Sequence, residues 1–503
     1  MASLLGIDIG TTHCKAGLFN SDGVSLKIAK RQTITHYNSE GQAAYKPAEL
    51  WETVASAIKE VTENTNEKIM VIGVTSMAET GLLVDRNTGK PKTDFIPWFD
   101  SRSMIEAQFI EQGADLFERF QATGLHNSYK YGLAKLLWLK NKDPDVIKDA
   151  VWLSAADYIA YKLTGKYGTD YTLAARTFAF RIDQKVWDIP WVRSLGLDEN
   201  VFPGVSPSGV KLGEIQSSDL ESIGLVKGIP VAVSGHDHVC AALAVGAVEP
   251  GVVFDSIGTA ETIVGTLYEQ KLGEREYISG LSFGCHVAKN RMFWMGGLPN
   301  SGGSIEWVRS QLGEEPITYN AIQKLLSKAK KGPTGILYFP YLTGSGAPNP
   351  DPHVKGAFIG LEAKHKRHDL LKAVLEGTAF EMEWVRETAA NVTGLQIDRM
   401  VVVGGGTKNL HWMQIKSDVS RCRLFIPEET EATLLGAALT AAIGCGIYAD
   451  EKEGVSSSKP KNGNEISPNV EHHIIYQDLY RNGYISLQKL IRTYSQNISL
   501  GDE

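Results

Sequence analysis

Short β-branched runs that end in glycine recur along this chain, and apolar positions spaced as on one face of a helix lie between them. Leu4 to Ile9 is the first run. Ala16 to Phe19, the turn Asn20-Ser21-Asp22-Gly23 and the alternation Val24, Leu26, Ile28 follow it, predicting an antiparallel meander. Pro47 followed by Leu50, Trp51, Val54, Ala55, Ile58 and Val61 predicts an amphipathic helix. Ile69 to Thr75 then predicts a buried strand, leading through Ser76 to Gly81 into another alternating segment and the turn Asp85 to Gly89. Helices are predicted over Leu133–Asn141 and Ala155–Leu163, the second stopped by Thr164-Gly165. Pro230 to Ser234 predicts a strand that breaks at Gly235-His236-Asp237-His238, and Val239 to Val248 resumes as a small-residue helix.

The second half repeats the scheme. Val252 to Ile257 is a β-branched run, His368 to Asn391 a long core helix, and Met400 to Val403 a strand entering Gly404-Gly405-Gly406-Thr407-Lys408-Asn409. Glu431 opens a small-residue helix, Glu451 to Ser467 has the composition of a solvated loop, and a helix from Tyr476 to Tyr494 closes the pattern.

Two of these strand ends are alike. Asp8-Ile9-Gly10-Thr11-Thr12 delivers a carboxylate and then a turn whose N–H groups and hydroxyls converge on one spot, with Lys15 nearby as a cation. Asp255-Ser256-Ile257-Gly258-Thr259 repeats the Ile-Gly-Thr triplet half a chain later. Each is a cradle for phosphate, and the repetition predicts two domains of like topology facing each other. Asp8 stands two residues before its glycine and Asp255 three, so side-chain alternation points them oppositely. Asp8 is expected to hold a metal, and Asp255 to be structural.

The chain has 503 residues, which exceeds a single core and divides naturally at 1–247 and 248–503. A net charge of −7 without a long block of either sign argues against a nucleic-acid or anionic-membrane surface as the main partner. No basic leader precedes Leu4, and no apolar run reaches membrane-spanning length. Five scattered cysteines without a C-x-x-C pair fit a reducing cytoplasm.

Two further stretches carry candidate chemistry. Pro97-Trp98-Phe99-Asp100-Ser101-Arg102 joins an aromatic wall to a carboxylate and a guanidinium, which suits a sugar; Asp100 and Arg102 are equally readable as an internal salt bridge. Asp237, at a glycine-flanked strand-to-helix junction just before the second domain, is a candidate general base, with a helix N-cap as the alternative. His236 and His238 read as hydrogen-bonded support, since no third metal ligand has suitable spacing.

Together these residues resemble the FGGY family of carbohydrate kinases. Gly356-Ala357-Phe358-Ile359-Gly360-Leu361, followed by Asp369-Leu370 and Ala373-Val374-Leu375-Glu376, fits the family's C-terminal signature. The N-terminal signature around Lys135-Leu136-Leu137-Trp138-Leu139 fits in part, with Lys130 and Gly132 departing from it. The resemblance implies an α/β fold of two actin-like, ribonuclease H-like domains with an active-site cleft between them. It implies ATP and Mg2+ as cofactors, Asp237 as general base and Asp8 at the magnesium. Gly10, Thr11, Thr12, Lys15, Gly258 and Thr259 would then hold the phosphates, with Gly404, Gly405, Lys408 and Asn409 against adenosine.

Glu79, Thr80, Trp98, Asp100, Arg102 and His238 would hold the acceptor. Glu79-Thr80 is similar to the Glu-Thr of glycerol kinases, although Met77-Ala78 replaces the arginine those enzymes place before it. A ketopentose such as xylulose is the favoured acceptor, with polyol and aldonate as alternatives; Lys130 would supply a cation for an aldonate. A homodimer is expected by the same resemblance. The rivals from other classes are a nucleotide-switched scaffold of the actin and heat-shock type, which shares the duplicated fold, and a sugar-sensing regulator.

Overall fold

The structure is a computed structural model that describes residues 2–65, 67–428, 431–458 and 462–497. Its first sheet is built from β1 (Ala2–Ile9), β2 (His13–Asn20), β3 (Ser25–Gln32), β4 (Lys68–Ser76), β5 (Lys211–Glu214) and β6 (Pro230–His236), in the order β3-β2-β1-β4-β6-β5. The predicted meander β1-β2-β3 is antiparallel, β4 and β6 add in parallel, and β5 closes the edge antiparallel.

The second sheet repeats this order. It contains β7 (Val252–Ile257), β8 (Glu261–Tyr268), β9 (Ser282–Cys285), β10 (Arg291–Leu298), β11 (Arg399–Val403), β12 (Arg423–Pro427) and β13 (Gly463–Ile466), arranged β9-β10-β8-β7-β11-β12-β13. Here too a meander precedes two parallel strands and an antiparallel edge; β9 is the single addition.

The helices that matter for the site are α1 (Pro47–Thr62), α2 (Gly132–Lys142), α3 (Ala155–Thr164), α4 (Asp237–Ala244), α5 (Gly302–Gln311), α6 (Arg367–Thr393), α7 (Leu410–Ser420) and α8 (Ala432–Gly444). Each sheet buries its own core, and a third apolar layer joins the two. That layer takes Leu4, Phe19, Val71 and Ala232 from the first sheet, Phe254, Val264, Val401 and Val403 from the second, and α4 and α8 between them.

Glycines permit this junction. Gly17, Gly6 and Gly73 face one another across β2, β1 and β4, and α8 lies on that row. A Cβ at Gly6 would stand 2.1 Å from the Leu434 carbonyl oxygen, and one at Gly73 would stand 2.0 Å from that of Ala437. The Ser234 hydroxyl donates to the same Ala437 carbonyl at 2.7 Å. On its other side α8 presents Gly436, where a Cβ would meet the Cys240 oxygen of α4 at 1.9 Å.

Three predicted elements differ. The helix after Asp237 stops at Ala244 rather than Val248, because Gly246 turns the chain at φ 77° and its N–H reaches back to Leu243. The expected loop Glu451–Ser467 contains a helix over Glu451–Ser458 and the edge strand β13; residues 459–461 of it lie outside the described residues. Its polarity reflects an edge strand with one open side. The closing helix begins earlier, at Val470, and widens over Leu479–Ile485 before continuing to Asn497.

Overpacking this junction tests its role. Gly436→Ala is expected to lower unfolding free energy by about 1–3 kcal/mol in urea melts. Gly113→Ala, with no atom within 4 Å of its Cβ position, is expected to change it by less than about 0.5 kcal/mol.

Candidate active site

Parallel strands ending in step decide which loops meet. Ile9 pairs with Ser76 and Ser76 with His236, so the Gly10–Thr12 turn, the Glu79–Thr80 segment and Asp237 leave the first sheet along one edge. Ser256 pairs with Val403, so Gly258-Thr259 and the Gly404–Asn409 loop leave the second sheet side by side. Crevices outside the carboxyl ends of parallel strands are where α/β sheets bind ligands.

The first turn is held from behind. Gly10 N–H donates to the His13 carbonyl at 3.0 Å, the Thr33 hydroxyl to the Gly10 carbonyl at 2.8 Å, and Thr33 N–H to the Thr12 carbonyl at 2.9 Å. Among the described residues the N–H groups of Thr11 and Thr12 donate to no protein acceptor. Such free donors suit a phosphate.

Beside the turn stand two carboxylates with opposite electrostatics. Burial, with Asp237 next to it, pushes Asp8 up to about 7 against the pull of Lys15. Asp8 Oδ1 is buried without a hydrogen-bond partner. Burial also raises Asp237, but His238 and the hydrogen bond from His236 outweigh it and hold the carboxylate at about 2. Gly235, at φ 113°, breaks β6 here; a Cβ would meet the Thr172 hydroxyl at 2.5 Å. The break makes His236 the N-cap and Asp237 the first helical residue, so the N-cap alternative for Asp237 does not hold. Asp237 Oδ1 accepts His238 N–H at 2.7 Å and lies 3.2 Å from His236 Nε2.

An oxygen donor set of one or two carboxylates, completed by phosphate and water, is what Mg2+ takes, and Asp8 with Asp237 fits it. No group of three or more metal-ligating side chains occurs among the described residues. Asp255 differs as the alternation predicts: it is sealed in the second lobe, 3.8 Å from Lys416, whose ammonium also binds Glu261 at 2.5 Å. Lys15 is engaged by Glu431, 2.7 Å away at the start of α8.

Around the acceptor position the structure gathers some predicted residues and withdraws others. Glu79, at φ 60°, pairs with Arg176: Nε donates at 2.7 Å and Nη2 also reaches the same oxygen. Burial raises the Glu79 carboxyl, yet Arg176, His236 and Lys130 bring it below the ordinary value. Lys130 is pushed down by burial, and among the described residues its ammonium has no hydrogen-bond or salt-bridge partner. His238 is lowered by burial against the pull of Asp237.

Trp98 is 38% exposed as a residue while its indole N–H donates to Thr11 Oγ1 at 2.9 Å, tying the aromatic wall to the phosphate turn. Thr80, expected to touch the acceptor, is buried instead, and its hydroxyl accepts Trp98 N–H at 3.1 Å. Asp100 and Arg102 likewise form the internal salt bridge, at 2.6 Å. Asp100 also accepts Ala43 N–H, and Arg102 is held by the Ala43 carbonyl. Their polar groups are spent on the loop that carries Trp98.

In the second lobe, Ser301, Gly302 and Gly303 at the start of α5 donate N–H groups to the Gly258 and Thr259 carbonyls at 2.9–3.1 Å, fixing that turn. Gly404, at φ 98°, passes so close to the end of β7 that a Cβ would stand 2.4 Å from the Ile257 carbonyl. Gly405 and Lys408 are exposed, while Asn409 caps α7 by accepting Trp412 N–H at 3.2 Å.

Two lobes of duplicated topology, each presenting a glycine turn at its strand ends, with a buried and a half-buried carboxylate beside one of them, define a phosphotransferase of the actin-like fold. The chain belongs to the FGGY family of carbohydrate kinases: the family's N-terminal domain matches residues 3–244 and its C-terminal domain residues 256–445. It is therefore a carbohydrate kinase, which phosphorylates a sugar hydroxyl, and the scaffold and regulator rivals fall away. It is 28% identical over 88% of its length to the xylulose kinase of Staphylococcus xylosus, of which 91% is covered. It is 26% identical over 89% of its length to the gluconokinase of Bacillus subtilis, of which 88% is covered. Its fold matches Plasmodium falciparum glycerol kinase, solved with ADP, at a TM-score of 0.86, 20% identity, and coverage of 97% and 98%. No helix among the described residues is long and apolar enough to cross a membrane.

Arg176, Glu431 and the role of Lys135 escape a reading of the sequence, because each meets its partners across 38 or more residues with no local motif to mark it. Arg176, from a distant segment, is the arginine that pairs with Glu79. In Arg176→Met, Glu79 is left buried and unpaired, which costs about 3–5 kcal/mol. Wild-type Glu79, lowered by its partners, contributes stability above its unfolded-state pKa and loses it as pH falls. Unpaired Glu79 is raised and destabilises as pH rises. The gap in unfolding free energy between the two proteins is therefore expected to widen from pH 5 to pH 8 in denaturant melts.

Proposed function

We propose that the enzyme transfers the γ-phosphoryl group of ATP to a hydroxyl of a small sugar, with Asp237 as general base. The observation that carries this reading is the unequal pair Asp8 and Asp237. They sit at one sheet edge beside free N–H donors, one raised and one held ionised, which is how two carboxylates divide two roles. Asp237 stays ionised through the physiological range and is placed to accept the acceptor's proton as the hydroxyl attacks. Thr11 and Thr12, and in the other lobe Gly258 and Thr259, would orient the phosphates, with Lys15 exchanging Glu431 for the transferred group. The Gly404–Asn409 loop would lie against the adenosine. Magnesium, held by Asp8 with phosphate and water, would supply charge neutralisation on the phosphates. Most of the catalytic gain in such transfer comes from alignment and charge neutralisation.

For the acceptor, the exposed face of Trp98 and the Glu79–Arg176 pair suit a polyhydroxy chain, and similarity to xylulose kinases favours a ketopentose. A second reading, an aldonate, is supported by one observation: next to Arg176, whose Nη1 is unpaired among the described residues, Lys130 brings a cation with no hydrogen-bond or salt-bridge partner among them. Cytoplasmic residence and a homodimer belong to this proposal on the family resemblance alone.

Asp237→Asn is expected to bind ATP as the wild type does and to lose two to four orders of magnitude in kcat, roughly the span of general-base removal. Turnover at wild-type rates in that variant would refute the role. A coupled ADP assay over ketopentoses, polyols and aldonates identifies the acceptor. If the acceptor is an aldonate, Lys130→Ala lowers its kcat/KM by about tenfold or more, the worth of one charged hydrogen bond. An unchanged preference between neutral and acidic sugars removes the aldonate reading.

A further inference from the structure

The partial signature around Lys135 has no role in the chemistry above, yet its lysine is one of the most completely buried charged groups in the molecule, at 0% exposure. A buried ammonium is costly unless it is paired or fully hydrogen-bonded. No carboxylate touches this one; its Nζ instead donates to three backbone carbonyls, Glu79 at 2.6 Å, Pro97 at 2.9 Å and Ile96 at 3.3 Å. Burial pushes this lysine down to about 7 against the pull of Glu79 and Asp100, so what it contributes is the three donor bonds rather than a fixed charge.

The carbonyls belong to the two segments that face the acceptor. Glu79 follows β4 and adopts φ 60°, a conformation that an L side chain takes only when its surroundings enforce it. Among the described residues no other donor reaches its carbonyl. Pro97 immediately precedes Trp98, so fixing its carbonyl fixes the peptide from which the indole departs. The only other hydrogen bonds between these segments run from Trp98 N–H to Thr80 Oγ1 and between Gly81 and Ile96, the latter at 2.9 and 3.4 Å. One ammonium thus sets the spacing between the carboxylate and the aromatic face.

We propose that Lys135 is a positioning residue for acceptor specificity, holding Glu79 and Trp98 at the separation that fits one sugar. The inference rests on the acceptor site proposed above. It touches none of the nucleotide loops of the second lobe, and its one link to the phosphate turn is the Trp98 indole bond to Thr11 Oγ1.

The test compares Lys135→Met, which keeps the volume and loses every donor, with Lys135→Gln, which keeps two. In the coupled assay with the best acceptor of the wild type, KM for the sugar is expected to rise by about tenfold or more in Met and less in Gln, since each lost bond to a charged donor is worth more than tenfold if fully expressed. ADP affinity, measured by calorimetry, is expected to stay within about twofold. Hydrogen exchange at Gly81 and Trp98 is expected to quicken in Met. A sugar KM unchanged in folded Lys135→Met, or a parallel loss of ADP affinity, overturns the proposal. So does failure of both variants to fold, which assigns Lys135 to stability alone. A wild type that releases no ADP in response to any sugar refutes the acceptor site itself, a separate outcome.

Discussion

Helix α8 comes from the second half of the chain but rests on the sheet of the first, and the molecule depends on that contact. It works because Gly17, Gly6 and Gly73 form a row without side chains across three strands, letting helix carbonyls approach to about 2 Å from where a Cβ would stand. Close approach maximises dispersion contact along the helix and leaves no gap at the junction. It brings Glu431 to Lys15, and through Gly436 it presses α8 against α4, whose first residue is Asp237. The glycines bind nothing themselves; they set the distance at which the lobes meet.

On that frame the site is organised by how each buried charge is compensated. Asp8 and Asp237 stand in one field, yet Asp8 rises because burial dominates and Asp237 falls because two histidines and a backbone N–H favour its anion. Glu79 is equally buried and is kept ionised by Arg176. Arg176 and Lys130 accompany Glu79 on one side of Asp237, and Lys15 with Glu431 accompanies Asp8 on the other. A dication with ATP would balance the second group, and hydroxyls or a carboxylate the first.

Periodicity carried most of the fold. The meander, α1, the paired turns and the long helix α6 were legible because each is a local pattern repeated over many residues, and the repeated Ile-Gly-Thr predicted a duplicated topology that the two strand orders display. Boundaries moved where a single glycine or an edge pairing decided them, as at Gly246 and β13. Candidate residues at strand ends, Asp8, Asp237 and the two turns, were legible for the same reason. Thr80, Asp100 and Arg102 were not, since a polar side chain reads alike in sequence whether it faces a ligand or braces the loop beneath it.

The amino-acid order alone determined which strand ends carry a carboxylate and which carry glycine, because backbone geometry ties those residues to their own neighbours. Tertiary structure alone decided the company each one keeps. Arg176 beside Glu79, Glu431 on Lys15 and Lys135 under two separate segments depend on how distant elements pack. Pairing across 38 to 416 residues leaves no trace in local pattern, and the free energy of a buried charge is set by whichever partner the fold brings within about 3 Å of it.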